Sequence, residues 1–139
     1  MLTKAAIISL IVHYSTLYGV EPATALSVVK IESNFNHKAI GPKGEYGLFQ
    51  LNPKAFPQYT KEYLTNYRNN IKVGVKFLRE MQKTCIHKND LNYLVCFNFG
   101  LENAKRVKHP ELFPYVKKVS KIRKTYLREG NIWNVLFLF

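Results

Sequence analysis

A chain of 139 residues that is 47% apolar and 14% aromatic can bury one core of ordinary size, which excludes a disordered chain and a second full domain. With 21 Lys and Arg against 9 Asp and Glu, the formal charge of +12 calls for an anionic partner. Nucleic acid, an acidic membrane face and the anionic bacterial wall all satisfy that, while no stretch reaches the ~20 apolar residues of a membrane-spanning helix.

The elements follow in chain order. The opening segment carries Lys4 and a short apolar run, Ala5 to Val12, but no small-residue cleavage site, so it is not read as a signal peptide. Ile7, Leu10, Ile11, Tyr14, Leu17 and Tyr18 recur at helical spacing and predict a first helix that Gly19 breaks. Pro22 opens a second helix ending near Glu32. From Ser33 to Pro57 the Gly, Pro and Asn content predicts loops and short elements.

Asn69 or Asn70 is expected to cap a third long helix with Ile71, Val75, Leu78 and Met81 inward. Gly74 falls on that stripe, where close packing is the expected reason for it. Asp90 is expected to cap a fourth helix with Leu91, Leu94 and Val95, stopped by Gly100. Pro114 opens a fifth, aligning Tyr115, Val119, Ile122 and Tyr126 against an outer face of Lys117, Lys118, Lys121, Arg123 and Lys124. The tail over 130–139 is apolar and is read as docking on the core or offering a partner surface. Cys85 and Cys96 lack CxxC or zinc spacing; reduced, buried thiols are the favoured reading, with a bridge left open for a protein working outside a cell.

Glu32 is the informative carboxylate. It follows ALSVVKI at a helix C-terminus, where the helix dipole and apolar neighbours both disfavour its ionised form. Those effects suit a general acid, although position alone favours a surface Glu at a frayed helix end.

The segments after Glu32 decide between these. VVKIESNFNHKAIGPKGEYGLFQLNP resembles the lytic transglycosylases of the soluble-transglycosylase (SLT) type, in which an apolar helix ends in Glu-Ser and a Gly-Leu-Met-Gln segment follows. Glu32-Ser33 matches the first part and Gly47-Leu48-Phe49-Gln50 with Pro53 the second. NNIKVGVKFL, LVCFNFG and PYVKKV resemble three further family segments in the same order, over about residues 7–119. The resemblance implies a mainly α, single-domain, lysozyme-like fold spanning residues 1–139.

It also implies roles. Glu32 would be acid and base, Gln50 would hydrogen-bond the sugar, and Phe49 would line the pocket where the family usually has Met. Asn98 is either a satisfied core amide or a site residue, and Tyr115 would position the Glu or the substrate's acetamido group. No metal or cofactor is implied. The substrate would be the glycan strand of peptidoglycan, cut between N-acetylmuramic acid and N-acetylglucosamine with closure of a 1,6-anhydro ring.

Two departures stand out: Gly41 where the family often has Ser, and Glu45 where a small or apolar residue is usual. Glu45 therefore enters the candidate site, and with it the alternative of a hydrolysing lysozyme that uses two carboxylates. A basic nucleic-acid-binding helical protein is the rival from another class, but no helix-turn-helix pattern supports it and no specific nucleic-acid partner is expected. The expected partners are peptidoglycan glycan strands, anionic wall polymers, and virion or secretion-machine proteins reached through the tail. The expected place of action is the bacterial wall or periplasm, with delivery by a phage particle or a secretion apparatus.

Overall fold

The computed structural model describes residues 1–128, so the apolar tail at 130–139 lies outside the described residues. Helices dominate, as expected: α1 (Lys4–Tyr18), α2 (Pro22–Ser33), α3 (Lys61–Thr65), α4 (Tyr67–Thr84), α5 (Leu94–Phe99), α6 (Leu101–Ala104), a 3-10 turn (Pro110–Leu112) and α7 (Pro114–Arg128). Among the described residues extended pairing is limited to two isolated antiparallel bridges, Ile40 with Tyr46 and Tyr46 with Leu51. The chain divides into two compact units, Met1–Val75 and a second from Lys76 onward, with the break inside α4.

In the first unit α1 packs on α2. The Thr3 hydroxyl accepts the Ala6 amide at 3.1 Å to start α1, and Gly19 ends it at φ 73°. The buried positions of α1 are Ile7, Ile8, Ile11 and Ser15. Leu17, expected inside, is exposed: the inner face follows i, i+4, i+8 from Ile7, which turns Leu17 away. Helix α2 begins at Pro22 as expected and buries everything from Ala23 to Val29.

Two expected caps are corrected. Helix α4 begins at Tyr67, and the side chain of Asn66 accepts the Asn69 amide at 3.1 Å, so the cap is Asn66 and not Asn69 or Asn70. Asp90 caps nothing; it sits at φ 49° in a run of turns, and α5 starts four residues later with no side-chain cap. The inner stripe of α4 stands, with Ile71, Val75, Leu78 and Met81 all buried.

In the second unit α5 packs against α6 and α7. Gly100 ends α5 at φ 91°, and α7 opens at Pro114 with Tyr115, Val119 and Tyr126 buried and Ile122 half-buried. The favoured reading of Cys85 and Cys96 as reduced thiols is overturned: they form a disulfide, both sulfurs buried, joining the residue after α4 to α5 with Cα atoms 5.9 Å apart. They stand eleven positions apart, a spacing that carries no disulfide pattern of its own, and meet only once the 86–93 turns fold the chain back.

Candidate active site

Glu32 occupies the last turn of α2 and is half-buried. The chain leaves the helix abruptly behind it: Asn34 and Phe35 both adopt left-handed backbone, at φ 50° and 62°. Asn34 accepts this readily, and its amide closes the helix on the Lys30 carbonyl at 3.0 Å. Phe35, a bulky residue in a costly conformation, is held there by burial of its ring, over which the Lys4 ammonium lies 4.8 Å from the centroid. Burial and then the nearby Lys30 charge lower the Lys4 pKa. The backbone following the carboxylate is thus held by the Asn34 cap and by the buried Phe35 ring.

Residues 39–51 form a tight loop. Gly41 donates its amide to the Glu45 carbonyl at 2.8 Å, Gly47 donates to Ala39 at 2.9 Å, and Tyr46 and Leu51 exchange a pair of bonds at 3.0 Å. Asn70 anchors this loop to α4. Its side chain is fully buried; Oδ1 accepts the Phe49 amide at 2.9 Å, while Nδ2 donates to the carbonyls of Tyr46 at 2.8 Å and Leu64 at 2.9 Å. Gly47 makes room for that amide: besides its φ of 72°, a Cβ there would sit 2.6 Å from Asn70 Nδ2.

The residues expected from the sequence fall in distinct settings. Phe49 is fully buried against Gly74, so its ring packs the core rather than presenting a surface. Gln50, half-buried at φ 49°, spends both amide hydrogens on the loop, to Ala39 O at 3.2 Å and Gly47 O at 2.9 Å. Glu45 is half-buried and folds back over Gly41, its Oε2 accepting the Lys43 amide at 3.1 Å. The structure therefore brings Glu45 and Gln50 together above Gly41.

In the second unit Asn98 is exposed on α5, which removes the core-amide alternative for it. Tyr115 is buried at the start of α7, its ring stacked on Phe97 with centroids 6.3 Å apart, and Phe97 in turn lies 5.3 Å from Phe77. Sequence reasoning missed Asn70 as the loop's anchor. Its signal was present, a polar residue directly before the inner stripe of α4, but it was read as a helix cap. Among the described residues no group of three or more His, Cys, Asp or Glu is arranged to hold a metal ion.

A half-buried carboxyl on the last turn of α2 has the chemistry to give and take a proton, and the loop that follows it in the chain commits most of its polar groups to the backbone. A solved structure with similar architecture is that of the lytic transglycosylase Slt from Pseudomonas aeruginosa, determined as an inactive glutamate-to-glutamine variant. The similarity covers 89% of this chain and 24% of that one, at 17% identity and a TM-score of 0.75, and at that identity it shows the fold. The transglycosylase SLT domain family matches residues 9–112, from within α1 to the 3-10 turn and including Glu32 and Gln50, and the chain belongs to that family.

Proposed function

We propose that this protein is a peptidoglycan lytic transglycosylase with Glu32 as its single acid and base. The observation that carries the reading is the family match across residues 9–112, a range that includes Glu32, half-buried on the last turn of α2. In this mechanism the Glu32 carboxyl gives its proton to the glycosidic oxygen between N-acetylmuramic acid and N-acetylglucosamine, and the C–O bond breaks. The substrate's 2-acetamido oxygen bonds to the anomeric carbon in its place, so no protein nucleophile is required. Glu32, now a carboxylate, takes the proton of the muramic 6-hydroxyl. That oxygen closes the 1,6-anhydro ring, displaces the acetamido oxygen and returns Glu32 to its starting state.

The inactivity of the Pseudomonas enzyme's glutamate-to-glutamine variant supports a mechanism centred on one glutamate. The Cys85–Cys96 bridge supports action outside a reducing cytoplasm, in the wall or periplasm. The +12 charge supports attraction to anionic wall polymers. Delivery by a phage particle or a secretion apparatus is a further part of this reading, tested by looking for the protein in purified particles and in secretion-deficient strains.

The alternative of a two-carboxylate lysozyme finds less support, because the Glu45 carboxylate is folded over Gly41 and bonded to the Lys43 amide. The test is mass analysis of products from purified wall. Muropeptides ending in 1,6-anhydro-muramic acid, one water lighter than hydrolysis products, are expected, and Glu32→Gln should lower their formation by about 10²–10⁴-fold. Reducing-end products, or undiminished activity in Glu32→Gln, would overturn the reading.

A further inference from the structure

Gly41 does not adopt a left-handed φ, so its backbone would tolerate other residues. What a side chain there would displace is the far end of two others. An ideal Cβ at position 41 would lie 2.0 Å from Glu45 Oε2 and 2.5 Å from Gln50 Oε1. The Glu45 carboxylate therefore occupies the volume in which a side chain at 41 would begin, and brings its oxygen beside that of Gln50.

Both oxygens are acceptors. Gln50 Oε1 has this orientation because its amide nitrogen is held by the carbonyls of Ala39 and Gly47. No described donor reaches Oε1, and Glu45 Oε2 receives one hydrogen bond, from the Lys43 amide. Both side chains are half-buried. Two adjacent acceptors at a half-open surface, one of them charged, favour a donor placed between them, and a charge-assisted hydrogen bond there is stronger than a neutral one.

We propose that Glu45 adds a charged acceptor over Gly41, beside Gln50, that binds a neutral hydrogen-bond donor of the glycan, a sugar hydroxyl or an acetamide N–H. This rests on the glycan-cleaving function proposed above. The site determines binding and specificity and takes no part in proton transfer. Gly41 is required because any Cβ there displaces the carboxylate.

Titration with an N-acetyl-chito-oligosaccharide tests this, together with kinetics on purified wall. In Glu45→Gln the introduced amide still accepts from Lys43 and can donate to Gln50 Oε1, closing the site from within. Its Tm should hold or rise while the Kd weakens by about tenfold to a hundredfold, the worth of a hydrogen bond to a charged group. On wall, KM should rise with kcat little changed. Gly41→Ala should show the same loss, and adding it to Glu45→Gln should cost nothing more, since the two changes remove one interaction.

A cello-oligosaccharide, which keeps the hydroxyls and lacks the acetamide, separates the two donors. Loss with both sugars identifies a hydroxyl, and loss with the acetylated sugar alone identifies the acetamide. Unchanged binding in a folded Glu45→Gln, additive losses in the double variant, or a fall in kcat at constant KM would overturn the proposal and leave the proposed function standing. A wild-type protein that binds no glycan and leaves wall intact would overturn both.

Discussion

The ring of Phe49 fills the space that any side chain at position 74 would need: a Cβ on Gly74 would lie 2.2 Å from Phe49 Cγ and 2.5 Å from Cδ2. Gly74 sits inside α4, where glycine costs about 1 kcal/mol relative to alanine, so the close approach outweighs the helix preference. The loop carrying Phe49 and Gln50 is seated on α4 through this contact.

Gly74→Ala should therefore destabilise the protein by about 1–3 kcal/mol despite its better helix propensity, because a packed aromatic ring cannot yield to a new methyl. Thermal unfolding measures this. Phe49→Ala, which removes Cγ and Cδ2, should cost less in the Gly74→Ala background than in the wild type; additive losses would show that the two positions do not share this space.

Asn70 secures the same loop by polar means. Asn70→Leu would strand the Phe49 amide and the Leu64 carbonyl in a buried setting and leave the Tyr46 carbonyl with the Leu51 amide alone. Each unsatisfied group costs about 1–3 kcal/mol, so a loss of several kcal/mol is expected. Hydrogen exchange at the Phe49 amide should accelerate in the milder Asn70→Ser before global unfolding does. Equal acceleration over the whole chain would mean that Asn70 supports the core at large and not the loop.

Much of this architecture was legible in the sequence, for identifiable reasons. Pro22, Gly19, Gly100 and Pro114 mark helix ends through backbone conformations that few other residues favour, and each stands where the pattern placed it. The stripe Ile71, Val75, Leu78, Met81 was clear because α4 spans several turns with one buried face. Asp90 and Asn70 were misread because a polar residue ahead of an apolar run looks the same whether it caps the helix, turns the chain or anchors a distant loop. Gly41 and Glu45 were each visible as a departure from the family pattern. Their relationship was not, since it depends on a turn that folds the carboxylate back onto the glycine.

The disulfide should contribute by restricting the unfolded chain. A loop of this length is worth about 2–4 kcal/mol. Cys85→Ala combined with Cys96→Ala should lower the Tm accordingly, and reductant should lower the wild-type Tm and leave the double variant's unchanged. Reductant sensitivity that persisted in the double variant would assign the effect to something other than the bridge.

Tyr126 gives a pH dependence of defined sign. Burial pushes its hydroxyl up to about 12 from an ordinary value of 10.0, so the folded state keeps the proton where the unfolded chain releases it. The stabilisation is complete below pH 10 and is lost as pH rises toward 12, by about 2–3 kcal/mol in all. Denaturant unfolding at successive alkaline pH values should show this slope, and Tyr126→Phe should flatten it. A slope unchanged in Tyr126→Phe would assign the alkaline loss to other groups.

Tyr115 separates packing from chemistry within one side chain. Its ring is buried and stacked on Phe97, itself against Phe77, so its place at the start of α7 is set by aromatic packing within the second unit. Aromatic pairs of this kind are worth about 0.5–1.5 kcal/mol beyond area burial. Tyr115→Leu removes the stack and should lower both Tm and turnover, which alone reveals nothing about the hydroxyl. Tyr115→Phe is the informative change, because it retains the ring and loses one oxygen. If that oxygen serves the proposed reaction, kcat on purified wall should fall about tenfold or more while Tm moves little. The effect should also differ in kind from that of Glu45→Gln: a position that acts in the transition state lowers kcat, and one that binds uniformly raises KM. A Tyr115→Phe variant with a lowered Tm and wild-type kcat would make the hydroxyl a structural group of the second unit. Exposed Asn98 on α5 would then be the next of the expected site residues to substitute.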